Sequence, residues 1–176
     1  LGGVDAVVII AQHYIPSQFM LPGLFAVSAL ISLAIGTSCG TIAAVVPIAV
    51  GLGERLGLDL GMTVGATIGG AMFGDNLSLI SDTTIAATRT QAVAMRDKLL
   101  YNLKIVLVPA LLTILVFMFI SFSTNDVSIS HQPIDAQMVM KTVPYILLLF
   151  LAVIGFNVMT LLAGGIVFNL ILGWSF

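Results

Sequence analysis

The chain has 176 residues, of which 59% are hydrophobic and 8% charged, with a net charge of −2 and a mean hydropathy of +1.16. Soluble domains carry about 25% charged residues, so no water-facing surface can be assembled here and the chain belongs in a bilayer. Six Lys and Arg against eight Asp and Glu exclude the basic balance of a nucleic-acid binder, and one Cys with two His excludes a disulfide framework or a Cys/His zinc site. Leu1 to Ala11 lacks the basic start of a secretory signal. The chain opens on Leu1, and the 35 residues after Lys141 carry no charge. Both ends therefore read as cut inside membrane segments, with residues 1–176 forming part of a larger transmembrane domain.

A bilayer core takes roughly 20 helical residues to cross. The first charge-free run, Ala6 to Gly53, holds 48 residues, enough for two crossings, and Pro16, Pro22 and Gly23 mark where the first should stop. The remainder, 21–53, is interrupted by Gly36-Thr37-Ser38-Cys39-Gly40-Thr41 and followed by Pro47. This pattern predicts two half-helices around an unwound break. A polar turn at Glu54, Arg55 and Asp59 leads to two rows of small residues at a spacing of four: Gly57, Gly61, Gly65 and Gly69, and Ala66, Gly70 and Gly74. In lipid such rows let a neighbouring helix backbone approach closely, so they predict packing.

The second broken segment, 60–88, contains Asp75-Asn76-Leu77-Ser78-Leu79-Ile80-Ser81-Asp82-Thr83-Thr84, with two carboxylates, an amide and four hydroxyls. Carboxylates at membrane depth are costly and generally face a bundle interior or a water-filled ion pathway, which makes Asp75 and Asp82 functional candidates. The alternative is that the segment has left the membrane and both acids are interfacial loop residues, with Asp82 as a helix N-cap. In a regular helix the two acids stand about 10.5 Å apart in rise, too far to share one ion, whereas an unwound segment could bring them together. Thr37, Ser38 and Thr41 of the first break, with carbonyls freed by unwinding, offer a complementary wall, since broken helices of secondary transporters coordinate cations in this way. Thr-Ile-Ala-Ala follows both breaks, at Thr41 and at Thr84, a repeat consistent with paired elements.

Arg89, Arg96, Lys98 and Lys104 form a basic stretch, and the uncharged residues from Ile105 to Asn125 read as a transmembrane helix with Pro109 near its start. Lys and Arg counts place Arg89 to Lys98 on the cytoplasmic side if both broken segments cross the membrane, and on the opposite side if either is a re-entrant hairpin. A polar loop from Ser123 to Lys141 holds Asp126, His131, Pro133 and Asp135, and a last span runs from Val143 to about Ala163. Tyr145 and Trp174 suit interfacial anchoring, and Asn157 and Thr160 interhelical hydrogen bonds.

The run Phe73-Gly74-Asp75-Asn76-Leu77-Ser78-Leu79-Ile80-Ser81-Asp82-Thr83-Thr84 resembles the Phe-Gly-Asp-x-x-Ser-Pro-x-Ser-Asp-Thr-Thr signature of the NhaC family of sodium/proton antiporters, with the upstream Gly-Thr-Ser-x-Gly-Thr and Pro47 also in place. Leu79 departs from it, where the family usually has Pro. The resemblance covers Gly36 to about Pro109. It implies an all-α membrane protein of the secondary-transporter type, a transmembrane helix bundle with two broken or re-entrant helices, in the bacterial inner membrane. Sodium/proton exchange is the activity implied, and some relatives resemble malate/lactate antiporters instead.

The expected mechanism is competition at a shared carboxylate: burial favours the protonated carboxyl and a bound sodium the charged one, so proton and sodium exclude each other and alternating access yields antiport. Asp82 and Asp75 are the expected proton and cation groups, sodium being transported cargo. Asn76, Ser78, Ser81, Thr83 and Thr84 are neutral ligands or supports, opposite Thr37, Ser38 and Thr41. No basic residue falls inside a break, which disfavours the organic-anion alternative. An intramembrane protease is disfavoured too: Gly36-x-Ser38-x-Gly40 matches a nucleophile elbow, but that motif needs a preceding strand and a His partner. No phosphate loop or dinucleotide fingerprint occurs, so no cofactor is expected. The expected partners are membrane lipid, the remaining part of the same transporter, and a second copy if the protein oligomerises.

Overall fold

A computed structural model describes residues 3–123 together with 142–143, 147, 150–151, 160 and 163–167. Asp126, His131, Pro133, Asp135, Tyr145, Asn157 and Trp174 lie outside these residues, as does most of the expected last span. All regular elements among the described residues are helical: α1 (Gly3–Tyr14), a 3-10 turn (Ser17–Phe19), α2 (Met20–Ile35), α3 (Ser38–Leu56), α4 (Leu60–Leu77), α5 (Asp82–Thr90) and α6 (Met95–Ser123). Ser17–Ile35, Ser38–Leu56 and Met95–Ser123 are each long and apolar enough to cross a membrane.

Local chemistry sets most of the boundaries. Pro16, in an extended conformation, follows α1. Pro22 and Gly23, expected to mark the same stop, lie inside α2 instead. In a first helical turn the missing proline N–H forfeits no intrahelical bond, so Pro22 is tolerated there. Gly57, at φ 59°, closes α3 by donating its N–H to Gly53 O. Asp59 opens α4, its Oδ1 accepting from Met62 N at 2.8 Å, a cap that typically contributes about 1 kcal/mol. Pro109 sits within α6, which begins ten residues before the expected Ile105. The expected basic loop thus shrinks: Arg89 lies in the last turn of α5, and Arg96, Lys98 and Lys104 are helical.

Small residues bring α2 and α4 into backbone contact. A Cβ at Gly70 would fall on the Phe25 carbonyl, and one at Gly74 on the Ala29 carbonyl and 2.8 Å from Leu33 N. Of the two predicted rows, Ala66, Gly70 and Gly74 are therefore the packing row. In the other, Gly65 faces open space and Gly69 touches only the Phe25 ring, at 3.6 Å. Phe25 also meets Phe73 and Phe117, with ring centroids 5.9 and 6.3 Å apart. Van der Waals closeness of this kind is what holds helices together in lipid.

These contacts fix the helix directions. Phe25 lies beside Gly70, Ala29 beside Gly74 and Gly36 beside Ile80, so α2 and α4 run parallel. Gly53 lies against Leu60 and Thr63 while Ser38 meets Asp75, so α3 runs antiparallel to α4. It follows that α2 and α3 form a helical hairpin. The first break is therefore a reversal between two long helices and not the midpoint of one unwound crossing. It is also shorter than the six residues expected, because Ser38 to Thr41 already belong to α3. α6 returns antiparallel to α2, with Phe122 on Phe19 and Ser121 Oγ donating to Ser17 O. Ile105, Val108, Leu111, Leu112, Leu115 and Phe119 leave its outer face apolar and exposed, as a lipid contact requires.

Candidate functional site

Four helix ends meet at one junction. Gly36 adopts φ 77°, a left-handed conformation that disfavours side chains, and a Cβ there would stand 2.8 Å from Ile80 Cγ1 and 3.0 Å from Ser81 N. The hairpin turn thus presses on the backbone of residues 78–81, the extended break between α4 and α5. The C-terminal ends of α2 and α4 bring carbonyls to this place, and the N-terminal ends of α3 and α5 bring N–H groups.

Asp75 is the carboxylate of the junction. It lies half-buried in the last turn of α4, and its Oδ2 accepts a hydrogen bond from Ser38 Oγ at 3.1 Å. Its Oδ1 is buried and accepts none. A carboxylate with one oxygen held and the other shielded from water is suited to bind either a proton or a small cation.

The hydroxyls around it divide by role. Ser78 and Ser81 are buried in the break while Leu79 and Ile80 between them are exposed. Ser78 Oγ accepts from Ile80 N at 3.4 Å, and Ser81 Oγ pairs with Thr83 Oγ1 at 2.8 Å. Thr37 caps α3, accepting from Gly40 N, and the buried Thr41 returns its hydroxyl to Thr37 O at 2.9 Å. Of the expected wall, only Ser38 reaches a carboxylate through a hydrogen bond. Asn76 turns outward and donates Nδ2 to Met72 O at 3.0 Å.

Asp82 stands apart from this cluster. Ser81 is the N-cap of α5, and Asp82 is exposed in the first helical turn, where a negative charge favours the positive end of the helix dipole. Asp82 is thus the first residue inside α5 and not its N-cap, and no hydrogen bond links it to Asp75.

Lys98 was not expected in either break, yet the fold carries it to the second one. Its Nζ donates to Asn76 O at 2.8 Å and to Thr84 Oγ1 at 2.5 Å, and its charge interacts with that of Asp75. Asn102, one turn along the same face of α6, also donates to Asn76 O, at 3.0 Å. The carbonyl released by the α4 break is thus taken by two α6 donors. The i, i+4 spacing of Lys98 and Asn102 was the only signal for this pairing, and it becomes meaningful once α6 is known to begin before Lys98.

Among the described residues, no three His, Cys, Asp or Glu side chains gather to hold a metal ion. The Gly36-x-Ser38-x-Gly40 pattern bridges two helices, with α2 where a nucleophile elbow needs a strand.

A family model described as the Na+/H+ antiporter family matches residues 6–122, a range that includes all of α2 to α5 and nearly all of α6. No curated protein and no solved structure matches the chain.

Proposed function

The chain belongs to the Na+/H+ antiporter family, and from that premise we propose that it exchanges sodium for protons at the junction, with Asp75 as the shared carboxylate. It is a membrane transport protein, and the family points to a transporter in place of an enzyme. The observation that carries the reading is the Ser38–Asp75 bond, which draws the tip of the hairpin to the α4–α5 break.

A sodium ion would take Asp75 Oδ1, with Ser38, Ser78 and Ser81 supplying neutral oxygens and Thr37, Thr41, Asn76, Thr83 and Thr84 supporting them. A proton on Asp75 removes the charge that attracts sodium, so one carboxylate carries one cargo at a time. Movement of the hairpin tip against the break would open the site to alternate sides. Asp82 acts at the rim as a second proton or cation group. The signature residues favour the NhaC subfamily and a multi-pass protein of the bacterial inner membrane, working with the rest of its transport domain.

The test is sodium-triggered collapse of an imposed pH gradient in everted vesicles bearing the full-length transporter. Collapse in the wild type that disappears in Asp75→Asn supports the assignment, and equal collapse in both removes Asp75 from the mechanism. One feature favours a second reading, malate- or lactate-type organic-anion exchange: Lys98 and two helix N-termini lie at the junction. Collapse that requires added malate would select it.

A further inference from the structure

We propose that Lys98 is a tethered cation: its ammonium takes the Asn76 carbonyl and the Thr84 hydroxyl, oxygens that the α4–α5 break would otherwise offer to a transported ion, and so confines that ion to the Asp75 side. The inference rests on the cation-exchange reading and adds a residue that determines how tightly the junction binds sodium.

The geometry is that of a filled cation position. An ammonium at 2.8 and 2.5 Å from two oxygens sits where an alkali cation would sit if the side chain were short. The carbonyl belongs to the C-terminal end of α4, the negative end of its dipole, which attracts positive charge. The threonine belongs to the first turn of α5, so the one ammonium links both helices flanking the break to α6. Asn102 holds the same carbonyl from the next turn, which keeps the backbone in place and leaves Lys98 as the charged member of the pair.

The charge environment makes the effect directional. Among the groups on elements packed against α6, Asp75 is the one whose charge interacts with Lys98. α5 meets α6 through the Thr84 hydroxyl and through Thr88, whose hydroxyl lies near Met95 Sδ, while its charged Asp82 and Arg89 are exposed. The 3-10 turn and α2 offer Phe19 and Phe25 to α6. On α6 itself Arg96, Asp97 and Lys104 are exposed. The fixed ammonium therefore opposes a second positive charge at Asp75 with little competition, and it lowers the affinity of the junction for sodium to a level that permits release.

Sodium dependence of exchange in vesicles carrying the full-length protein tests this, with Lys98→Met and Lys98→Arg beside the wild type and equilibrium binding of radioactive sodium to each purified protein. Lys98→Met is expected to lower the sodium KM and the binding Kd by about threefold or more, because a like charge is gone and an oxygen pair is free. Lys98→Arg, which keeps the charge, is expected to stay within about twofold of the wild type. A Lys98→Met protein with reduced kcat but unchanged KM and Kd overturns the proposal and leaves Lys98 a structural brace. If Lys98→Met fails to accumulate, a Lys98→Arg protein with KM and Kd shifted as far as about tenfold overturns it. Failure of the wild type to exchange sodium at all would instead remove the parent reading, and the binding measurement separates the two.

Discussion

Ser38 Oγ donates to Asp75 Oδ2 at 3.1 Å, joining the first turn of α3 to the last turn of α4 across 37 residues of sequence. Because α2 and α3 form a hairpin whose tip also presses on Ile80 and Ser81, this bond ties the two polar interruptions of the chain into one site.

Loss of that bond should weaken cation binding and leave the chemistry of exchange intact. Hydrogen bonds to charged groups contribute about 1.5–3 kcal/mol, and the low end suits a half-buried carboxylate. Ser38→Ala is expected to raise the sodium KM by about tenfold with kcat within about twofold. A fall in kcat at constant KM would show that Ser38 acts on the conformational step instead.

The two acids should separate in their effects. Asp75→Asn keeps the size and an oxygen acceptor for Ser38 but cannot carry the negative charge, so sodium-driven proton movement is expected to vanish. Asp82, exposed at the start of α5, is expected to tolerate Asn with a partial loss of activity and a helix-dipole penalty of about 0.3–1 kcal/mol. The reverse ranking in a side-by-side vesicle assay would transfer the central role to Asp82.

Gly74 and Gly65 form a matched pair on α4. Alanine at Gly74 would place its Cβ on the backbone of Ala29 and Leu33, which can yield only if α2 and α4 separate. A loss of about 1–3 kcal/mol is expected, seen as a lower melting temperature in detergent. Gly65 has nothing within 4 Å of the same position, so Gly65→Ala should be neutral or stabilising by up to about 1 kcal/mol. Equal behaviour of the two variants would contradict the packing of α2 on α4.

Gly36→Ala combines two penalties. A left-handed residue with a side chain is disfavoured by about 1 kcal/mol, and the Cβ would also meet the backbone at Ile80 and Ser81. Since that contact sets the junction, exchange activity should fall further than stability does. Thermal denaturation and transport measured on one preparation would compare the two, and a variant that exchanges normally would separate the hairpin tip from the site.

Membrane character, the position of both interruptions and the polar run through Asp75 and Asp82 were legible in the residues alone. Each of these is written in adjacent residues: a charge-free run, the glycines and hydroxyls of 36–41, a cluster of polar side chains at 75–84. It took the packing of the helices to show that the first interruption is a hairpin turn, that Gly70 and Gly74 form the packing row, that Ser38 reaches Asp75 while Thr37 and Thr41 serve their own helix, and that Lys98 enters the second break. The reason is geometric. Spacing along a helix tells which residues share a face, but the rotation and register of one helix against another choose which face meets which, and those depend on packing between segments far apart in sequence.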